Sequence, residues 1–182
     1  MYNIIQVIKM SVKTKTTYLM CIPPVITLFY GIFAGKTGIL LNSCLVILCV
    51  LSALILDKRI NLFSNREYGV ILIFILCSVF AGRSLGAYKS IPYWDKILHF
   101  LSGFILLMVG KNFYRKLNGN KNKIIQKLFT LFSAISGAAL WEIFEFGCDS
   151  LLGTMAQNNS LNDTMWDLIL GTLSTISGIF FI

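Results

Sequence analysis

Six apolar runs, each close to membrane-crossing length, follow one another along this 182-residue chain, with base-rich connections after the second and fourth. Runs of about 20 mostly apolar residues, repeated in series, restrict the architecture sharply. In hydrocarbon every backbone N–H and C=O must find its partner within the protein, which a helix achieves alone and an isolated strand does not. The runs cover roughly residues 17–35, 38–56, 68–86, 94–110, 127–147 and 165–182. The expected fold class is therefore all-α: a polytopic membrane protein, a bundle of six transmembrane helices, with residues 1–182 as a single integral-membrane domain. Pro23 and Pro24 stand near the start of the first run and are expected to kink or delimit it. A basic N-terminus before an apolar run also suits a signal peptide, but the second run follows almost at once without a convincing A-x-A site.

Composition agrees. Charged residues make up 13% of the chain, about half the usual share in soluble domains, and the mean hydropathy is +0.75. A net charge of +8 raises the question of nucleic acid, yet the bases lie between apolar runs and form no binding face or motif. The expected partners are membrane lipids, with no nucleic acid, and the residues identify no protein partner. Four of the five cysteines (Cys21, Cys44, Cys49 and Cys77) fall inside apolar runs and suggest no disulfide framework. Cys148 alone lies beside acidic residues.

The bases also orient the chain. Lys9, Lys13 and Lys15 precede the first run, Lys58, Arg59 and Arg66 fill the second connection, and Lys111, Arg115, Lys116, Lys121, Lys123 and Lys127 fill the fourth. Only Lys36, Arg83, Lys89 and Lys96 fall on the other side. The positive-inside rule then places both termini in the cytoplasm of a bacterial-type cell membrane.

In that topology six of the eight carboxylates and the one histidine collect at the extracytoplasmic end. Asp95 and His99 open the fourth helix, Glu142, Glu145 and Asp149 close the fifth, and Asp163 and Asp167 open the sixth. The spacings i, i+4 and i, i+3, i+7 put each set on one helix face. Ionisable groups at membrane depth are costly and point to function. Asp95, Asp163 and Asp167 suit helix N-termini, whereas Glu142 and Glu145, read as the end of the fifth helix, need protonation, a base such as Arg83, Lys96 or His99, or a bound cation. Structural alternatives exist for each: an Asp95–His99 pair, an N-cap at Asp163, an interfacial belt of Tyr93, Trp94, Trp141 and Trp166, and snorkelling by Arg83 and Lys96. Ser102-Gly103, Ser136-Gly137 and Ser177-Gly178 read as close helix packing.

The stretch Ile91-Pro92-Tyr93-Trp94-Asp95-Lys96-Ile97-Leu98-His99-Phe100 resembles the D-K-x-x-H-F signature of YjdF-like bacterial inner-membrane proteins. Trp141-Glu142-Ile143-Phe144-Glu145-Phe146 and Asp163-Thr164-Met165-Trp166-Asp167-Leu168 are similar to two further motifs of that family, in the same order. A looser likeness connects these positions to VanZ-like proteins. The resemblance, from about residue 80 onward, implies functional positions at Asp95, His99, Glu142, Glu145, Asp163 and Asp167, and names no reaction. Arg83 departs from the pattern, where the family carries a histidine ahead of Gly86-Ala87, which argues against a histidine-rich metal site.

Three functions follow as expectations. A membrane-embedded enzyme acting on a lipid or lipid-linked headgroup would use a divalent cation as cofactor. Its metal ligands would come from Asp95, His99, Glu142, Glu145, Asp163 and Asp167, with magnesium, manganese or calcium favoured by oxygen-rich ligation. His99, Glu142, Glu145 and Asp167 would be its catalytic residues, with Arg83 and Lys96 meeting substrate. A proton- or cation-linked transporter or lipid-handling protein would use the same groups as a relay. A non-catalytic module would use them to hold three helices together.

Overall fold

A computed structural model of the chain describes residues 10–118, 122–158 and 160–182. It is helical, with no strand among the described residues, and six of its helices are long and apolar enough to cross a membrane. The bases Lys9 and Lys121, which entered the orientation reading, lie outside the described residues. The chain divides between Ser90 and Ile91 into two compact units.

In the N-terminal unit, α1 (Val12–Phe33) and α2 (Thr37–Ile60) pack side by side, and α3 (Asn65–Ile75) continues as a π-helical segment, Leu76–Ser84, before the short α4 (Ala87–Ser90). Ser11 caps α1 by accepting from the Thr14 amide, and Ser64 and Glu67 form a reciprocal capping box at the start of α3. Pro23 and Pro24 neither begin nor end α1; they lie in its interior. The Thr27 hydroxyl donates to the Pro24 carbonyl at 3.1 Å and to that of Pro23 at 3.4 Å. The missing proline N–H groups take the helical donors from the Leu19 and Met20 carbonyls, one turn before the prolines, whereas the Thr27 bond adds a side-chain donor one turn after them. Cys21, Val46, Val50, Leu54, Tyr68 and Leu72 form the core of this unit.

The C-terminal unit contains α5 (Trp94–Asn118), α6 (Lys123–Leu152) and α7 (Leu161–Gly178), the last ending in a 3-10 turn, Ile179–Phe181. Each of the three packs on the other two. Small residues make this possible. A Cβ added at Gly103 of α5 would fall 1.9 Å from the Ser174 hydroxyl and 2.6 Å from the Gly171 carbonyl of α7. Gly110 is equally close to Ser133 of α6, and Gly178 sits against Leu107 and Phe104. Thr130, Ser174 and Thr175 are fully buried, while Phe132, Leu140, Ile143 and Phe146 face outward. Polar inside and apolar outside is the arrangement a lipid solvent favours.

Helix α6 is longer than its hydropathy indicates. It starts at Lys123, where Asn122 accepts from the Ile124 and Ile125 amides, and ends at Leu152, where Gly153 turns left-handed at φ 65°. The reading of Glu142 and Glu145 as the helix end is therefore corrected. The negative pole of a helix acts within its last turn, so it reaches Asp149 and neither glutamate. The connection between the fifth and sixth runs shrinks correspondingly, since Leu151 and Leu152 form the last turn of α6; Asn159 lies outside the described residues.

Candidate functional site

At one end of the C-terminal unit, the start of α5, the last third of α6 and the start of α7 bring the acids together around two nitrogen-bearing side chains. Lys96 is the first. Its Nζ stands 2.5 Å from Asp163 Oδ1, 2.9 and 2.8 Å from the two Asp167 oxygens, and 3.3 Å from Asp95 Oδ2. The i, i+4 spacing of Asp163 and Asp167 on α7 stacks both carboxylates on the face that meets α5. Ser160 caps α7 by accepting from the Asp163 amide, and Asn158 Nδ2 donates to Asp163 Oδ2 at 2.8 Å. Lys96, expected to meet substrate, instead directs its ammonium onto three carboxylates of its own unit.

His99, one turn further along α5, is the second. Its Nδ1 lies 3.5 Å from Glu142 Oε1, and its Nε2 lies 3.7 Å from Asp95 Oδ1 and 3.8 Å from Asp167 Oδ1. These separations exceed those of good hydrogen bonds. Glu142 is the anomaly of the site. Its side chain is 5% exposed, and both carboxylate oxygens are buried without a hydrogen-bond partner. Buried carboxylates are normally paired, hydrogen-bonded or bound to metal.

Two triads place one ligand atom per residue within 4.8 Å of one another: Asp95, His99 and Asp167, and His99, Glu142 and Glu145. Ligands on opposite sides of an oxygen-preferring cation, bound at about 2.0–2.6 Å, stand about 4–5 Å apart, so both spacings suit an ion. They differ in what already balances their charge. Lys96 neutralises the first triad from within. The second includes the unpartnered carboxylate of Glu142, and it fits a metal better.

Asp149 has a separate role. It accepts from the Thr154 hydroxyl and the Ala156 amide through Oδ1, and from the Gln157 amide at 3.0 Å through Oδ2. It ties the α6–α7 loop down. Gln157 adds a bond from Nε2 to the Glu142 backbone carbonyl at 3.1 Å. Between α6 and α7 lies a recess of about 790 Å³ whose lining mixes apolar residues such as Ile143, Phe146 and Leu168 with polar ones that include Glu142, Asp149 and Thr164.

Arg83, the other expected substrate contact, belongs to the N-terminal unit, where it is exposed at the end of the π-helical segment. That unit also holds an ion pair that the sequence reading did not find. Lys13 of α1 reaches the buried Asp57 of α2 at 2.6 Å and the Phe63 carbonyl, and the Thr17 and Tyr68 hydroxyls meet at 2.7 Å. The available signal was an aspartate inside a helix on the side of the chain that also carries Lys13.

Comparison with known proteins agrees with the architecture. A family model described as "Predicted membrane protein (DUF2238)" matches residues 15–182. An uncharacterized protein of Thermotoga maritima is 32% identical over 97 residues, which make up 50% of this chain and 48% of that protein. The match thus spans about half the length of this curated relative. No solved structure matches.

Proposed function

Because the chain belongs to this family of predicted membrane proteins, we propose a YjdF-like integral protein of the cell membrane that binds a divalent cation at its extracytoplasmic end and acts there on a lipid or lipid-linked headgroup. His99, Glu142 and Glu145 hold the cation, and both termini are cytoplasmic. The observation that carries this reading is the buried, unpartnered carboxylate of Glu142 beside His99 Nδ1. If all are ionised, five carboxylates face one lysine and one imidazole, so a dication reduces an excess of negative charge.

The remaining residues then act as supports. Asp95 and Asp167 lie on the Nε2 side of His99, where carboxylates commonly fix the tautomer and orientation of a metal-binding imidazole. Lys96 holds Asp167 in that position and ties α5 to α7. A cation held by His99, Glu142 and Glu145 would supply Lewis-acid chemistry toward a headgroup oxygen. The recess between α6 and α7 has apolar walls at Ala139, Ile143, Phe146, Leu161 and Leu168 and polar ones at Glu142, Asp149, Ser150 and Thr164, which suits a ligand with a hydrocarbon tail and a polar head.

One observation favours a second reading, a non-catalytic module. The contacts of Lys96 with Asp163 and Asp167 bridge α5 and α7, as interhelical polar pairs do in membranes. A metal measurement separates the two. The purified full chain, stripped with EDTA and dialysed against Mn²⁺, is expected to retain one ion per chain by elemental analysis. Glu142→Gln and His99→Ala are expected to retain none while keeping the wild-type circular dichroism. A wild-type protein that retains no ion, or variants that retain it fully, would remove the cation site. For the topology, a reporter active only outside the cytoplasm is expected to stay silent when fused after Ile182.

A further inference from the structure

The N-terminal unit contains a second polar recess, and its chemistry is opposite in sign. About 430 Å³ in volume, it lies where the π-helical segment turns into α4, and its lining includes Asn42, Arg83, Ser84, Tyr88 and Lys89. Among the described residues no carboxylate lines it. The only acids in this unit are Asp57 and Glu67, and both are engaged elsewhere. Asp57 pairs with Lys13, and Glu67 belongs to the capping box at the start of α3. Glu67 and Arg83 lie near opposite ends of the helical run Asn65–Ser84, about 24 Å apart along it. Nothing within the unit neutralises the two cations.

Three further features indicate what the recess accepts. The Ser84 hydroxyl is buried without a hydrogen-bond partner, a donor with an unmet need. Leu85 is right-handed (φ −94°, ψ −6°) with its amide donating to the Phe80 carbonyl at 3.0 Å, and Gly86 follows at φ 77°, so this turn caps the π-helical segment and holds Arg83 and Lys89 on the same recess. The π-helical widening brings Gly82 under the Tyr88 ring, where an added Cβ would fall 2.2 Å from the ring. Tyr88 thus closes one wall. Departures of this kind from α-helix are frequent at functional sites.

We propose that this recess is a phosphate-binding site, with the Arg83 guanidinium and Lys89 ammonium as charge partners and the Ser84 hydroxyl and Asn42 amide as donors. A planar guanidinium suits two phosphate oxygens at once, and an ammonium supplies a point charge. The phosphate comes from an anionic phospholipid headgroup or from solution. The inference does not depend on the cation site. It also differs from plain snorkelling, in which bases meet bulk headgroups with no fixed stoichiometry and need no buried hydroxyl.

Native mass spectrometry of the full chain in neutral detergent tests it, with dioleoyl phosphatidylglycerol and dioleoylglycerol as probes. One phosphatidylglycerol per chain is expected to be retained, with the phosphate-free lipid lost. The Arg83→Gln/Lys89→Gln variant is expected to bind at least about tenfold more weakly, the loss of charged hydrogen bonds. Displacement of the lipid by millimolar inorganic phosphate assigns recognition to the phosphate alone, and resistance to displacement assigns it to the whole lipid. If the double variant does not fold, Ser84→Ala combined with Lys89→Gln takes its place, with the same expectation. Equal retention of the two lipids, or unchanged binding by a folded variant, overturns the proposal.

Discussion

Replacing Lys96 with methionine keeps an unbranched side chain of similar volume and removes only the ammonium. The structure shows what is left behind. Asp167 and Asp163 have side chains 4% and 17% exposed, and Lys96 itself is 21% exposed. Breaking a buried ion pair by removing one partner costs about 3–5 kcal/mol, because the other charge remains unpaired. Interhelical hydrogen bonds in membranes average only about 0.6 kcal/mol, which sets a floor for neutral groups. Two nearly buried carboxylates losing one shared cation place the loss near the lower end of the first range, at about 3 kcal/mol. For a chain of this size that corresponds to a Tm lower by about 6–12 °C. Thermal unfolding in detergent, followed by circular dichroism, measures it. Adding Asp167→Asn to Lys96→Met removes one of the stranded charges and is expected to recover a substantial part of the loss. A single-variant shift below about 2 °C, or an Asp167→Asn substitution that deepens the loss, would falsify the assignment of Lys96 as the resident cation.

Other outcomes follow from the same geometry. Gly103→Ala places a methyl group against the Gly171 carbonyl and is expected to cost about 1–3 kcal/mol by overpacking. Gly147→Ala, with nothing within 4 Å of the new Cβ, is expected to be neutral or to stabilise by up to about 1 kcal/mol; the two unfolding midpoints side by side check the pair. Asp149→Ala releases three hydrogen bonds that hold the α6–α7 loop, and hydrogen exchange at residues 154–158 is expected to accelerate with little change in α5. Asp57→Ala strands Lys13 and is expected to destabilise the N-terminal unit by about 3 kcal/mol. Limited proteolysis near the 61–64 connection is the readout, and unchanged cleavage there contradicts it.

The helices were legible because hydrocarbon imposes one solution on each long apolar run. Their ends were not. Hydropathy fades at Asp149, yet the backbone stays helical until Gly153 adopts a positive φ that few other residues accept. The electrostatic case for Glu142, built on a helix terminus, therefore gives way to a different one built on burial. The gathering of Asp95, His99, Glu142, Glu145 and Asp167 followed from helical spacing plus topology. The division of labour among them did not, because it depends on which carboxylates Lys96 reaches, and that is set by the rotation of α5 against α7. Pro23-Pro24 reads as a kink or a boundary, and of these two α1 rules out the boundary, since the helix continues to Phe33.

The central claim is that Glu142, buried 3.5 Å from His99 Nδ1 with no hydrogen-bond partner for its carboxylate, is kept for a cation. Unfolding of wild type and Glu142→Gln, each in EDTA and in saturating Mn²⁺, tests it most directly. Without metal, the variant is expected to be at least as stable as wild type, since a buried unpaired charge is a cost that the amide avoids. With Mn²⁺ at about 100 times its Kd, wild type gains about 2.7 kcal/mol and the variant gains nothing. A variant that is weaker than wild type in EDTA, or one that gains as much from Mn²⁺, would show that Glu142 serves the fold and not an ion.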